Sequence, residues 1–316
     1  MKIIFIHGMN QQDYTADSLK EYWTSILAQG IDELCLKDKF CLRIRVEQLN
    51  IELPFYGDLI TKHQLSNNFD FDTFLPKSVL NFHWNHSEAL KPEPQVVDTE
   101  LPELPIFTPK KILSLKTRLY FASQIAKDLA LKEFFTILNS FPKLQQSLIH
   151  KFLIETYMYL NCPEFMQEVN QRILASFDEH EEHIIVSHSL GTVIAYNLLQ
   201  QLDPKFCIQR FITLGSPLAF RMVQSKVIQP IIHPKGLHGN WYNFYSDDDF
   251  LTAFPLMQPP FNFRPSIRNK KISTFTTMPH KIIGYLQHPA VIKCILEPIL
   301  KPSMLKPCRI PAKNPC

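Results

Sequence analysis

The chain has 316 residues, of which 45% are hydrophobic and 20% charged, a composition typical of a soluble globular protein with a substantial core. A formal net charge of only +3 gives no reason to expect a nucleic acid or an anionic membrane as partner. No apolar run reaches the roughly 20 residues that span a bilayer, and the apolar start is too short for a signal peptide. We therefore expect a cytoplasmic protein with no transmembrane segment.

The seven cysteines show no CxxC spacing and no clustering with histidine. Free thiols in a reducing compartment are the simpler interpretation, and no zinc site is expected. His83 and His86 form an isolated HxxH pattern with no further ligand nearby. No metal and no cofactor is therefore predicted.

The chain begins with a pattern typical of a β–turn–α–β unit. Residues 2–6 form a short apolar run of the kind found in a strand buried on both faces of a parallel sheet. A turn at His7 and Gly8 follows, and apolar residues at spacings of three and four over 19–34 then predict a helix. Residues 42–46 alternate between apolar and polar types, which predicts a second strand.

Residues 58–148 interrupt this rhythm. Prolines fix φ and remove a backbone donor, so the proline-rich stretch 91–109 predicts an extended, irregular segment, whereas 115–138 has a helical pattern. We interpret 58–148 as a cap-like or lid-like insertion over the sheet. The core is then formed by 1–57 and 149–300, and 301–316 is an irregular tail.

Regular structure resumes with a helical pattern over 148–177, interrupted near Pro163. The elements predicted after it are a strand at 183–186, a helix at 190–202, strands at 211–214, 240–245 and 272–275, and a helix at 284–299. Strands that alternate with helices predict an α/β fold with a mostly parallel central sheet and helices on both faces.

The segment Ser187-His188-Ser189-Leu190-Gly191 lies between an apolar strand and a helix. A serine at such a corner projects its Oγ from the carboxyl edge of the sheet, and small residues are needed two positions before and after it. Gly191 meets this need, and Ser187 stands where the general pattern has glycine. We predict that Ser189 is a nucleophile, with His188 pointing elsewhere; the alternative is an ordinary strand–helix corner.

The turn at His7-Gly8-Met9 predicts a second part of the same site. Directly after a buried strand, it can direct a backbone N–H toward a developing oxyanion, and the expected donors are the Met9 and Leu190 amides. The alternative is that Gly8 is only a turn residue and His7 only structural.

A serine hydroxyl needs a base, which an acid in turn orients. His280 lies between the last predicted strand and helix and is the predicted base, whereas His288, followed by proline, is expected to be structural. Three adjacent aspartates follow the strand at 240–245: Asp249 fits the acid position best, and Asp247 is its main competitor. The remaining alternatives are Asp248 or none of the three.

Together, these residues resemble the α/β-hydrolase superfamily, and the step at 214–218 resembles its lipases and esterases. The resemblance covers 1–57 and 150–300. It implies the α/β-hydrolase fold, triad roles for Ser189, Asp249 and His280, and an acyl-enzyme mechanism, but it does not supply a substrate. A small-molecule or lipid-like acyl ester is the substrate that we expect. Acyl transfer to an alcohol and non-catalytic binding on the same fold are the alternatives.

Overall fold

A parallel β-sheet forms the centre of the protein. The computed structural model describes residues 1–8, 11–37, 45–62, 155–156, 158–249, 254–274, 278–302 and 305. The strands of the sheet are β1 (Lys2–Ile6), β2 (Asn50–Glu52), β3 (Glu182–His188), β4 (Cys207–Leu214), β5 (Leu237–Tyr245) and β6 (Arg268–Lys271). They are all parallel, in the order β2-β1-β3-β4-β5-β6, which confirms the predicted α/β fold.

Helices cover both faces of the sheet. They are α1 (Ala16–Lys37), α2 (Gly57–Lys62), α3 (Pro163–Leu174), α4 (Leu190–Gln201), α5 (Arg221–Gln224), α6 (Ile282–Leu286) and α7 (Pro289–Leu300). Successive side chains of a strand point to opposite faces. Ile4 and Ile6 therefore pack with α2–α5, whereas Ile3 and Phe5 pack with α1, α6 and α7. This two-sided burial explains the continuous apolar runs of the central strands.

The strand order reverses at β1, which lies between β2 and β3. In open α/β sheets, ligands bind outside the carboxyl ends of the strands at such a switch point. Ile6, the last residue of β1, pairs with Ser187 near the end of β3. The turn at His7 and Gly8 and the corner at Ser189 are therefore neighbours at this edge.

Two predicted strands lie elsewhere, both at the edges of the sheet. Val46 belongs to a 3-10 turn (Val46–Gln48), and the edge strand is β2, while residues 42–44 lie outside the described residues. The last strand among the described residues is β6, whereas 272–274 are not in a strand and Phe275 lies outside the described residues. The β6 residues, Arg-Asn-Lys-Lys, are mostly exposed and have no apolar pattern. The apolar residue that suggested a strand is Ile272, which is buried just beyond β6.

The last predicted helix is divided into α6 and α7. Pro289 is the first residue of α7, and the His288 side chain caps it by accepting a hydrogen bond from the Ala290 N–H at 3.2 Å. Proline is favoured at this position because its missing N–H would have no partner within the helix. The structural role predicted for His288 is confirmed.

Residues 63–150 lie outside the described residues, so the cap interpretation of 58–148 stays a prediction, as does most of the tail 301–316. Helix α2 crosses the predicted boundary at 57/58: Leu59 is fully buried, and Arg172 of α3 donates to Asp58 Oδ2 at 2.8 Å. None of the helices in the described part of the chain has the length and hydropathy needed to cross a membrane.

The cysteines depart from the expectation of free thiols. Cys35, Cys162 and Cys294 are free, but Cys207 at the start of β4 is disulfide-bonded. The prediction was wrong for Cys207, because spacing alone does not report the pairing of cysteines that are distant in the sequence.

Candidate active site

The corner at Ser189 joins β3 to α4 with an unusual backbone. Ser189 has φ 54° and ψ −129°, and it is the one non-glycine residue with positive φ among those described. Its N–H donates to Leu214 O at 3.0 Å, and its carbonyl accepts hydrogen bonds from the Thr192 N–H and Oγ1 at 2.9 and 2.7 Å. A non-glycine residue in such a region costs about 1–3 kcal/mol and persists only where neighbouring contacts hold it.

Close backbone approach explains the small residues around this corner. A Cβ atom on Gly191 would lie 2.3 Å from His7 O and 2.4 Å from Ile6 O, so β1 leaves no room for a side chain. A Cβ on Gly8 would lie 2.8 Å from the Cβ of Ser189. Ser187 is buried, and its hydroxyl donates to Ile212 O at 3.2 Å, so serine fits there without leaving an unpaired group.

The structure brings together Ser189, His280 and Asp249. The distance from His280 Nε2 to Ser189 Oγ is 2.7 Å, and His280 Nδ1 lies 2.8 and 3.0 Å from the two Asp249 carboxylate oxygens. In the neutral imidazole, Nδ1–H donates to the carboxylate and Nε2 accepts from the hydroxyl. Ser189 and Asp249 are buried, whereas 17% of the His280 side chain is exposed. This arrangement can transfer a proton from Ser189 to His280.

Among the three candidate aspartates, Asp249 contacts His280. The chain turns after β5 through a hydrogen bond from the Asp249 N–H to Ser246 O at 3.2 Å, which brings the Asp249 side chain inward. Asp247 instead forms an ion pair with Lys271 at the surface, and Asp248 is exposed. The geometry thus favours Asp249, the residue that fitted the acid position best in the sequence.

His188 points away from Ser189, as predicted, and lies close to His280. The ring centroids of His188 and His280 are 5.0 Å apart, and His188 Nε2–H donates to the His280 carbonyl at 2.9 Å. Burial, with a smaller contribution from His280, lowers the His188 pKa to about 3. His188 is therefore a neutral donor that holds the backbone of the predicted base. Sequence reasoning missed this bond, which joins residues 92 positions apart.

Tyr285 of α6 is a second residue that sequence reasoning missed. Its hydroxyl donates to Asp249 Oδ2 at 2.6 Å, and the side chain is fully buried. A tyrosine on the apolar face of a helix is typical of core packing, so the sequence offered one signal at most: a buried tyrosine hydroxyl normally has a partner.

His7 and Gly8 form the turn predicted beside the nucleophile. The Tyr56 N–H donates to His7 Nε2 at 3.3 Å, so Nδ1 carries the proton and donates to Gly8 O at 2.8 Å. The ring stacks on that of Tyr56 at 3.7 Å, and burial lowers the His7 pKa to about 4. A neutral His7 therefore fixes the Gly8 carbonyl.

Of the two predicted oxyanion donors, the Leu190 amide belongs to the described part of the chain and the Met9 amide does not. Leu190 is buried as the first residue of α4, where backbone N–H groups have no partner within the helix. Met9 lies outside the described residues. In the described part of the chain, no group of three or more His, Cys, Asp and Glu side chains could hold a metal ion.

A scan of the chain against models of known protein families finds no match, and a search of curated proteins finds no similar sequence. The case for a function therefore depends on the fold and on the side chains at the carboxyl edge of the sheet.

Proposed function

We propose that the protein is a serine hydrolase of the α/β-hydrolase type, lipase- or esterase-like, that cleaves carboxylic esters or thioesters. The observation that carries the proposal is the hydrogen-bonded series from Ser189 Oγ to His280 Nε2 at 2.7 Å and from His280 Nδ1 to Asp249 at 2.8 Å. A nucleophile, a base and an orienting acid in hydrogen-bond contact are what acyl transfer to a serine requires.

In the proposed reaction, His280 takes the hydroxyl proton of Ser189 as Oγ attacks the acyl carbonyl. Asp249 then stabilises the imidazolium, and His280 gives the proton to the leaving group. Water activated by His280 afterwards releases the acid from the acyl-enzyme and frees Ser189. The proposed oxyanion donors are the Leu190 and Met9 amides; losing one such donor typically costs about 3 kcal/mol of transition-state stabilisation.

The strained backbone at Ser189 supports a chemical role for this serine. A residue with no function in this conformation is expected to be glycine, which adopts positive φ without cost. Serine with φ 54° is instead held by the hydrogen bonds of Leu214 and Thr192. Strain of this kind occurs where a side chain must be presented in one direction.

The substrate is proposed to be a small-molecule or lipid-like acyl ester, with no cofactor and no nucleic acid. A cytoplasmic location also stays a proposal, and the Cys207 disulfide weighs against the free-thiol premise behind it. Peptide mapping of the native protein without reductant tests this point: a linked Cys207 peptide is expected, and a free Cys207 thiol would contradict the disulfide.

A fluorophosphonate probe and a series of p-nitrophenyl esters from acetate to laurate test the proposed function. We expect labelling and hydrolysis by the wild type, and a loss of hydrolysis of about a thousandfold or more in Ser189→Ala and His280→Gln. Ser225→Ala, which removes a hydroxyl bonded to Met222 O on α5, is the matched control and should behave as the wild type.

The outcomes of this experiment test both the hydrolase proposal and the identity of the nucleophile. A folded wild type that is neither labelled nor active contradicts the proposal, and labelling that survives Ser189→Ala shows that another residue is the nucleophile. An alcohol acceptor added to the assay separates hydrolysis from acyl transfer, because transfer gives a new ester in place of the free acid.

A further inference from the structure

Within the described part of the chain, the Asp249 carboxylate accepts hydrogen bonds from the side chains of His280 and Tyr285. Its Oδ2 lies 2.8 Å from His280 Nδ1 and 2.6 Å from the Tyr285 hydroxyl, and Oδ1 lies 3.0 Å from the same imidazole nitrogen. Asp249 and Tyr285 are both fully buried. A carboxylate removed from water is strongly stabilised by each donor that reaches it, so the Tyr285 contact affects the charge on which His280 depends.

Both donors belong to one short stretch of chain. His280 lies in the turn before α6, closed by a hydrogen bond from the Lys281 N–H to Met278 O at 3.0 Å, and Tyr285 lies within α6. Gly284 packs closely against Thr274, since a Cβ on Gly284 would lie 2.7 Å from the Thr274 Cβ. Asp249 is thus fixed at two points by one well-packed segment.

Building on the proposed function, we propose that Tyr285 is a positioning residue for the reaction: its hydroxyl holds the Asp249 carboxylate in the orientation that bonds His280 and takes up part of its negative charge. The spacing that supplies both donors is His-x4-Tyr. Tyr285 does not touch the reacting atoms, so its effect on the reaction passes through Asp249 and His280.

The charges around Asp249 set the direction of the expected effect. Among the described residues, the titratable groups near it are His280, Tyr285 and His188, and farther out, at the surface, Asp247, Asp248 and Lys271. His188 is neutral, and Asp247 pairs with Lys271, so Tyr285 and His280 are the groups that bear most directly on the carboxylate. Removing the Tyr285 hydroxyl concentrates negative charge beside His280, which favours the imidazolium and raises the pKa of His280.

Tyr285→Phe tests the proposal against Tyr159→Phe. Tyr159 is also fully buried, and its hydroxyl donates to Asn170 Oδ1 at 2.9 Å, in the helical layer on the other face of the sheet. For Tyr285→Phe we expect kcat to fall about tenfold and the acid limb of the kcat/KM profile to move up by about half a pH unit. Tyr159→Phe should lose similar stability but keep the wild-type profile, because a purely structural change does not alter the titration of His280.

Two further measurements keep the test decisive. Proton NMR follows the titration of His280, assigned by the signal that is lost in His280→Gln, and reports its pKa without any need for activity. Replacement of all tyrosines by 3-fluorotyrosine adds one fluorine atom to each ring and makes the hydroxyl a stronger donor, so it should move the His280 pKa down. This second perturbation serves where the phenylalanine variant folds poorly.

The outcomes for Tyr285 and for the proposed function are distinguishable. An unchanged His280 titration in both Tyr285→Phe and the fluorinated protein overturns the inference, even if the wild type is an active hydrolase. A folded wild type that is inactive and unlabelled contradicts the hydrolase proposal. In that case, the NMR titration still decides whether Tyr285 controls the Asp249–His280 pair.

Discussion

Two neighbouring strands, β3 and β4, end in corners that share a left-handed φ but differ in their side chains. Ser189 follows β3 with φ 54°, and Gly215 follows β4 with φ 56°. A Cβ on Gly215 would lie 3.2 Å from Asp249 Oδ2 and 3.4 Å from His280 Cε1. The second corner therefore lacks a side chain, which leaves room for Asp249 and His280, whereas the first corner has a side chain despite its left-handed φ.

The two corners differ in backbone strain, although both are held by hydrogen bonds to a neighbouring strand. Hydrogen bonds step across the sheet from one corner to the next, from the Ser189 N–H to Leu214 O at 3.0 Å and from the Gly215 N–H to Phe244 O at 3.1 Å. Both corners are thus held by the neighbouring strand in the same way. Glycine relieves the strain where no side chain is needed, and serine bears it where a hydroxyl faces His280.

Gly191→Ala is the change that should break the Ser189 corner most severely. The new Cβ would meet His7 O at 2.3 Å and Ile6 O at 2.4 Å, which are backbone atoms held by the sheet. We expect the free energy of unfolding, measured in urea, to fall by about 3 kcal/mol or more. Gly236→Ala is the control, since its nearest atom, Phe206 O, would lie 3.2 Å away; equal stability of the two variants contradicts the prediction.

Acid should weaken the Ser189 corner because two buried neutral histidines flank it. Burial lowers the pKa of His188 to about 3 and of His7 to about 4, from 6.5. The unfolded chain binds more protons below pH 6.5, so the stability due to these groups is complete above that value and is lost as the pH falls. In His188→Gln, whose amide can still donate to His280 O, the loss of unfolding free energy from about pH 7 to 5 should shrink by about 2 kcal/mol.

Denaturation curves at three pH values measure this change. Tyr159→Phe serves as the control for a buried polar group that has no role near either corner. A pH dependence in His188→Gln as steep as that of the wild type would mean that His188 is protonated in the folded protein, contrary to its buried environment.

The fold could be predicted where a strand is buried on both faces and its sequence is therefore a continuous apolar run, as in β1, β3 and β4. The edge strands could not, because β6 is held by backbone pairing with β5 and its own side chains are polar and exposed. β2 has only three residues, too few for a pattern.

The residues that meet at the site could be predicted from their order along the chain, since carboxyl ends of parallel strands share one edge. The choice between Asp247 and Asp249 depended on the direction of a single turn. His188 and Tyr285 could not be recognised as partners of the site, because one bonds a backbone carbonyl and the other a carboxylate 36 residues away. Such contacts leave no periodic signal in the sequence.

Gly215→Ala tests the need for glycine at the corner after β4. The alanine must adopt φ 56° and would place its Cβ 3.2 Å from Asp249 Oδ2, so the carboxylate has to move by a few tenths of an ångström. We expect a loss of about 1–2 kcal/mol of stability together with a fall of about tenfold in kcat/KM on a p-nitrophenyl ester. A destabilised variant with full activity would show that the contact between Asp249 and His280 does not require glycine at position 215.

The smallest effect expected is also the most direct measure of strain, the difference between Ser189→Gly and Ser189→Ala. Both variants lose the hydroxyl and should lose labelling, but alanine keeps a Cβ at φ 54° while glycine does not. Relief of about 1–3 kcal/mol of strain outweighs the extra freedom of glycine in the unfolded chain, about 0.5–1 kcal/mol. The glycine variant should therefore unfold at a higher urea concentration, by about 1 kcal/mol in free energy. If the alanine variant is equally stable, this backbone suits any small residue, and the presence of serine at the corner no longer argues for a nucleophile.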